Sequence, residues 1–195
     1  TLTLHNFRIT TTKLPICNSP EIESMTKSLG ITLPEMIFGN NDVRVEREVI
    51  WGIRFCAQDA LDLVDKTGAN GMLKVAYSES WQRQRENVHG ARIKEYVRPF
   101  DWSYTTSYRG TGKKYEFLPE PPSTTLPTSL LLLPDPILLF DELVLYEDEL
   151  ADNGISLYSI KLRVMPHRML ILARFFLRLD NVLFRVRDTR VYIDF

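Results

Sequence analysis

The side chains that could do chemistry in this sequence fall into two blocks of opposite charge. Asp141 to Asp152 holds Asp141, Glu142, Glu147, Asp148, Glu149 and Asp152, with no Lys or Arg. Carboxylates gathered this way can bind a divalent cation or work as an acid–base pair, so a metal-dependent hydrolase using residues 141–152 is one reading. The order lacks the Asp-x-Asp-x-Asp-Gly spacing of a calcium loop, and a solvated strand end or ion pairing explains the acids as well. The second block is basic. Lys161, Arg163, Arg168, Arg174, Arg178, Arg185, Arg187 and Arg190 stand against Asp180 and Asp188. All but one of those cations are Arg, whose planar fork suits bidentate recognition of carboxylate or phosphate. Three uses are open: pairing with the acidic block across neighbouring strands, receiving an acidic peptide or C-terminal carboxylate, or binding nucleic acid as a β protein. With 24 Lys plus Arg against 25 Asp plus Glu, the net charge of -1 gives no overall attraction for a phosphate backbone. Nucleic acid is therefore the weakest of the three.

Other signatures of catalysis are missing from the sequence. His5, His89 and His167 are far apart, and Cys17 and Cys56 form no Cys-x-x-Cys pair and sit at no ligand spacing to a His. There is no Gly-x-Ser-x-Gly elbow and no Gly-x-Gly-x-x-Gly loop. Gly112-Lys113 has Ser107 where a phosphate loop needs its first Gly, and Lys114 where it needs Ser or Thr. The expectation is a protein that is not an enzyme and carries no cofactor or metal. Two cysteines and no Asn-x-Ser/Thr sequon point to a reducing compartment, the cytoplasm first and the nucleus second. The longest apolar run, Leu130 to Phe140, is broken by Pro134-Asp135-Pro136 and is shorter than the roughly 20 residues of a membrane span. The chain starts without Met and stops at Phe195 inside a strand-like pattern, which reads as part of a longer protein.

The elements that must position these residues follow from periodicity. His5 to Lys13, Val43 to Val45, Gly52 to Cys56 and Met72 to Tyr77 read as strands. Ser19-Pro20-Glu21 opens a short helix that Gly30 stops, and Ala57 to Lys66 reads as a second helix with Asp59 in its first turn. Ser78 to Arg85 reads as a third helix, and Val97 to Tyr104 as a strand with Phe100, Trp102 and Tyr104 on one face. An aromatic face of this kind belongs to a core more often than to a binding surface. Ile137 to Tyr146, Leu157 to Val164 and Met169 to Leu179 alternate as half-buried strands. Asp180-Asn181 is a two-residue hairpin signal, after which Val182, Phe184 and Val186 are expected inside and Arg185 and Arg187 outside. The class is α+β: one domain over residues 1–195, antiparallel sheets with a C-terminal half of β hairpins, a few short helices, and a Pro-rich loop at about 110–136.

Several motifs together resemble the TIPRL family, the TOR signalling pathway regulator-like proteins. They are LPEMIFGN at Leu33 to Asn40, GMLKVAYSESW at Gly71 to Trp81, RPFDWSYTT at Arg98 to Thr106 and the long run from Asp141 to Asp188. YEDELADNG and RVMP…RFFLR…DTR are the most specific, while Tyr115 to Asp135 does not share the pattern. The resemblance implies a non-enzymatic regulator with a mixed α/β fold. It implies binding to the catalytic subunits of type 2A, type 4 and type 6 protein phosphatases, including a cleft for the C-terminal tail. It also implies association with an alpha-four-type phosphatase-binding protein, a role in TOR signalling, and neither nucleic acid nor membrane as partner. Carried over by motif, Asp59 of AQDAL and Val186 and Asp188 of FRVRDTR match positions implicated in phosphatase binding. Leu126 is a fourth such position, and Arg190 lies where Asp188 could orient it. Gln58 stands where the family often has a small hydroxyl residue.

Overall fold

The structure, a computed structural model, describes residues 1–48, 51–67, 74–75, 96–97, 102–113 and 125–195. Strands β1 (Leu2–Leu4), β2 (Phe7–Thr12), β4 (Asp42–Arg47), β5 (Trp51–Cys56) and β8 (Thr111–Lys113) make one antiparallel sheet in the order β1-β2-β4-β5-β8. A second sheet runs β12-β11-β10-β9-β3, from β3 (Met36–Ile37), β9 (Leu139–Asp148), β10 (Gly154–Val164), β11 (Arg168–Leu179) and β12 (Leu183–Asp194). Two residues each from β6 (Lys74–Val75) and β7 (Tyr96–Val97) pair separately. Helices α1 (Ser19–Leu29), α2 (Ala57–Asp62) and α3 (Thr128–Leu131) complete the described elements. The α+β class with antiparallel sheets and few short helices is the one the sequence implied. Among the described residues no helix is long and apolar enough to cross a membrane.

The two sheets share one core. Ile9, Val43, Val45, Ile53 and Phe55 of the first sheet and Leu143, Ile160, Leu162, Ile171 and Phe175 of the second are all buried in the same apolar cluster. Strand alternation places these residues on one face of each sheet, and each fully buried side chain of this size contributes about 1.5–3 kcal/mol. The loop from Ser103 to Tyr108 is tied to the inner face of the second sheet. Tyr146 and Tyr158 donate their hydroxyls to the carbonyls of Tyr104 (3.0 Å) and Tyr108 (3.2 Å), and Ser156 donates to Ser103 (2.6 Å).

Helix α1 begins with a capping box. The Asn18 side chain accepts from the Glu21 amide while Glu21 accepts from the Asn18 amide, and Gly30 closes the helix at φ 69°. The cap is thus one residue earlier than Ser19-Pro20-Glu21 suggested. Helix α2 is shorter than the Ala57–Lys66 pattern and ends at Asp62. Residues 102–104 are turn and coil, so the strand expected over Val97–Tyr104 is confined to Tyr96–Val97 among the described residues. The helix expected at Ser78–Arg85 lies outside the described residues, as do residues 114–124 of the Pro-rich loop. The described start of that loop, Thr111–Lys113, is a strand paired with β5.

The C-terminal hairpin differs from expectation in its register. β11 and β12 pair antiparallel as predicted, but Leu179 faces Leu183, so the connection is three residues, Asp180 to Val182, with Asn181 at φ 60°. A two-residue loop would have set Leu179 against Val182. One added residue turns every β12 side chain to the other face. Leu183, Arg185, Arg187, Val191 and Ile193 therefore point inward, and Phe184, Val186, Asp188 and Arg190 point outward. Phe184 is 65% exposed and Val186 41%, against 1% for Phe175 and 0% for Leu177. The inward positions expected for Val182, Phe184 and Val186 and the outward ones expected for Arg185 and Arg187 are thereby corrected.

Candidate functional site

The outward face of the second sheet carries an ion cluster built by cross-strand register. Arg174 on β11 stands opposite Asp188 on β12. Arg174 donates from Nε to Asp188 Oδ1 (2.7 Å) and from Nη2 to Oδ2 (3.0 Å), and Arg190 Nη2 donates to Oδ2 (3.0 Å). The hydrogen bonds from Arg174, followed by its charge and that of Arg190, hold the Asp188 carboxyl below the usual carboxylate range despite partial burial. Two guanidiniums on one carboxylate leave a net positive charge facing solvent. Side-chain exposure is 45% and 55% for the two Arg and 15% for Asp188, so the acid is covered and the cations are presented.

Beside this cluster lies an apolar strip. Val186 sits one pleat from Asp188 on the same face, opposite Phe176. Phe176 and Phe184 meet edge to face at 5.3 Å between centroids, an arrangement worth about 0.5–1.5 kcal/mol beyond burial. Exposed aromatic area next to Arg is a composition enriched at protein interfaces.

Asp59 stands elsewhere. It accepts a hydrogen bond from Thr111 Oγ1 (2.5 Å), which is 3.0 Å from the Tyr108 hydroxyl, and that hydroxyl donates to the Arg54 carbonyl (2.9 Å). The chain of hydroxyls joins α2 to strands β5 and β8 and lines an open depression of about 800 Å³ with Gln58, Asp62, Leu63 and Arg109. Gly110 turns there at φ 101°, where a Cβ would lie 2.9 Å from Ile53 and Phe55. Burial pushes the neighbouring Cys56 thiol up to about 11.

Asp59 is connected to the β12 residues indirectly. Arg187 Nη1 donates to the Thr106 carbonyl (2.7 Å), and Thr106 Oγ1 donates to the Ala60 carbonyl (2.6 Å) in α2. Arg185 likewise reaches Thr105 Oγ1 (3.0 Å). These contacts leave the inward face of β12, whereas Val186 and Asp188 occupy the outward one. The structure thus brings Val186, Asp188 and Arg190 together and ties their strand to the helix of Asp59, with no direct bond between Asp59 and Asp188. Leu126 is half-buried, and its carbonyl accepts from Thr128 at the start of α3. Arg168 pins that segment, donating to the Leu130 carbonyl (2.5 Å) and pairing with Asp135 (3.4 Å). Arg168 pairs with Asp194 eight residues along β11 from Phe176, about 27 Å for an antiparallel strand, so the segment that follows Leu126 anchors at the other end of the hairpin.

The acidic block does not converge. Glu142 pairs with Lys161 across β9 and β10 (2.9 Å), Asp141 Oδ1 accepts from the Glu142 amide (2.9 Å), and Asp148 accepts from the amides of Glu35 (2.9 Å) and Leu150 (2.6 Å). Among the described residues no group of His, Cys, Asp or Glu is arranged to hold a metal ion. Ion pairing within the basic block is mostly internal, through Asp180 and Asp188. Sequence reasoning missed Arg174, Thr111 and Tyr108 as partners of the candidate residues. Arg174 was legible in principle, because a three-residue loop at 180–182 sets it directly opposite Asp188.

Comparison with known proteins agrees with these motifs. A model of the TIP41-like family matches residues 36–195. A human TIP41-like protein is 42% identical over 189 residues, covering 95% of this chain and 68% of that protein. The type 2A phosphatase activator TIP41 of Saccharomyces cerevisiae is 40% identical over 214 residues, covering 100% of this chain and 58% of that protein. The type 2A phosphatase activator tip41 of Schizosaccharomyces pombe is 35% identical over 179 residues, covering 92% of this chain and 70% of that protein. The family match takes in all of the second sheet and both Asp59 and Asp188, and on that extent the chain belongs to the TIP41-like family.

Proposed function

We propose that this chain is a non-enzymatic regulator that binds the catalytic subunit of type 2A-family protein phosphatases and contributes to TOR signalling. The names of the two yeast relatives, type 2A phosphatase activators, support the phosphatase as partner. The observation that carries the reading is the outward face of β12, where exposed Val186 and Phe184 adjoin the Arg174–Asp188–Arg190 cluster. That surface combines apolar anchors with cations able to receive a carboxylate, and a phosphatase C-terminal tail ends in one. Asp59 is a second contact on the other side of the Thr106 tie. The type 4 and type 6 enzymes and the alpha-four-type protein are partners of the same proposal.

The test is titration calorimetry with the phosphatase catalytic subunit, intact and lacking its tail. Val186→Asp and Asp188→Asn are each expected to weaken binding about thirtyfold, the equivalent of a hot spot of about 2 kcal/mol. Removal of the tail should reproduce a large part of that loss. Unchanged affinity in both folded variants would reject this surface.

A further inference from the structure

Of the four edges of the two large sheets, three end in short strands and one does not. β1 and β8 at the edges of the first sheet have three residues each, and β3 at one edge of the second has two, whereas β12 at its other edge has twelve. Shortness is one guard against the addition of a further strand, and β12 lacks it. It also has no Pro, and it pairs with β11 in unbroken register from Leu183 to Asp194, without the irregularity that interrupts β10 against β9. Its inward charges, Arg185 and Arg187, are engaged by Thr105 and Thr106. Among the described residues no strand pairs with its outer edge.

Ladder parity fixes which backbone groups that edge presents. The Phe195 amide donates to the His167 carbonyl (2.9 Å), and these two residues continue the β11–β12 register. Odd-numbered residues of β12 therefore spend their amides and carbonyls on β11. The amides and carbonyls of Phe184, Val186, Asp188, Arg190, Tyr192 and Asp194 point to the outer edge. An antiparallel strand added there must bond to these even-numbered residues.

We propose that two copies of this chain pair antiparallel through β12, about a two-fold axis at Thr189, and join their second sheets into one. Such an isologous contact requires a self-complementary edge. For two copies of β12, parity allows only registers that set even-numbered residues against even-numbered ones. The register centred on Thr189 places Val186 opposite Tyr192, Asp188 opposite Arg190 and Phe184 opposite Asp194 of the second copy. On the inward face it places Arg185 opposite Ile193 and Arg187 opposite Val191. It engages the edge from Phe184 to Asp194 and opposes no like charges. Each neighbouring register does oppose them. Moving the axis by one residue sets Asp188 on Asp188 or Arg190 on Arg190, and moving it by two sets Arg187 on Arg187 or Asp188 on Asp194. Like charges directly opposite destabilise a strand pair. Backbone pairing at the edge leaves the outward face of β12 open, so this inference goes beyond the phosphatase reading and does not rest on it.

Sedimentation equilibrium of the chain, from about 1 μM to about 1 mM, should show its mass rise from 22.7 kDa toward twice that value. Tyr192→Pro removes an edge amide and no bond to β11, so it should stay folded in a thermal melt and weaken self-association at least about tenfold. Arg190→Asp, which sets an acid against Asp188 of the second copy, should also weaken it at least about tenfold. Cysteines read the register. Residues at the axis form a non-hydrogen-bonded pair about 4.5 Å apart at Cα, within disulfide range, so mild oxidation of Thr189→Cys should link two copies. Arg187→Cys, opposite Val191, should not link, and the native Cys17 and Cys56 are buried. Should Tyr192→Pro melt early, Arg190→Asp and the two cysteine variants decide. A monomeric mass throughout the range would overturn the pairing and leave the edge to an extended segment of another protein. A dimer undiminished in the folded variants, or one linked through Arg187→Cys and not Thr189→Cys, would overturn it as well. None of these readouts uses a phosphatase, so they stand apart from the test of the outward face.

Discussion

Arg174 and Asp188 face one another across β11 and β12 and are joined by two parallel hydrogen bonds of 2.7 and 3.0 Å. This pair marks the outward side of the hairpin, because it can form only when Val186 is also outward.

The pair is expected to contribute to binding more than to stability. Arg174 is 45% exposed, so solvent screens the interaction, and a double-mutant cycle on Arg174→Ala and Asp188→Ala should give a coupling of about 0.2–1 kcal/mol in urea unfolding. The same cycle read by calorimetry against the phosphatase should exceed that value if the cluster is an interface. A cycle energy above about 2 kcal/mol in stability would mean the pair is mainly structural.

Two carboxyls should respond to acid with opposite signs. The Asp188 carboxyl is lowered in the fold, so its stabilisation is present above the unfolded value of about 3.9 and is lost as pH falls through the folded value. Asp188→Asn should therefore be less stable than the parent at pH 7, with the gap closing in strong acid. Glu35 is raised, so its ionised form opposes folding at neutral pH, and that penalty fades as pH falls through its folded value. Glu35→Gln should melt at or above the parent at pH 7 and converge with it in acid. Thermal melts of both variants from pH 7 down to about 3 check the signs.

Register predicts two very different phenylalanines. Phe175→Ala should cost about 3–5 kcal/mol, because it empties a site 1% exposed in the shared core. Phe184→Ala, at 65% exposed, should cost under about 1.5 kcal/mol, the worth of its edge-to-face contact with Phe176. Chemical denaturation separates them, and similar costs would mean that β12 faces the other way.

The turn beside Asp59 should tolerate no side chain at Gly110. Its φ of 101° and a Cβ position 2.9 Å from Ile53 and Phe55 make Gly110→Ala strained as well as crowded, with an expected loss of about 1–3 kcal/mol. Because Thr111 follows directly and bonds Asp59, phosphatase affinity should fall with it. Calorimetry at a temperature where the variant remains folded measures this.

Both thiols should be silent in the native chain. Cys17 and Cys56 are buried, and Cys56 remains protonated until about pH 11. Since the thiolate is the reactive form, a disulfide reagent at pH 7.5 should label neither quickly, and labelling should follow urea unfolding. Rapid native labelling of Cys56 would show that the α2 segment opens.

Local pattern determined much of this protein. Alternation in 157–164 and 169–179 gave the strands and their buried faces, because period-2 hydrophobicity needs no partner to be read. The motifs at Leu33 to Asn40, Gly71 to Trp81, Arg98 to Thr106 and Asp141 to Asp188 likewise identified the family from residue order alone. Tertiary structure decided what those residues touch. Asp180-Asn181 reads as a two-residue turn, whereas the structure closes the hairpin with three residues, and that difference inverts β12. The apolar Val182, Phe184 and Val186 favoured the inverted register. The observed one is held by contacts from distant segments: Arg185 and Arg187 on Thr105 and Thr106, and Val191 and Ile193 packed against the core. The same holds for the carboxylates of 141–152, which look alike in sequence but include a strand ion pair at Glu142 and amide acceptors at Asp141 and Asp148. Which role each acid takes depends on Lys161, Glu35 and Leu150, and folding alone brings Glu35 to Asp148 across more than a hundred residues of chain.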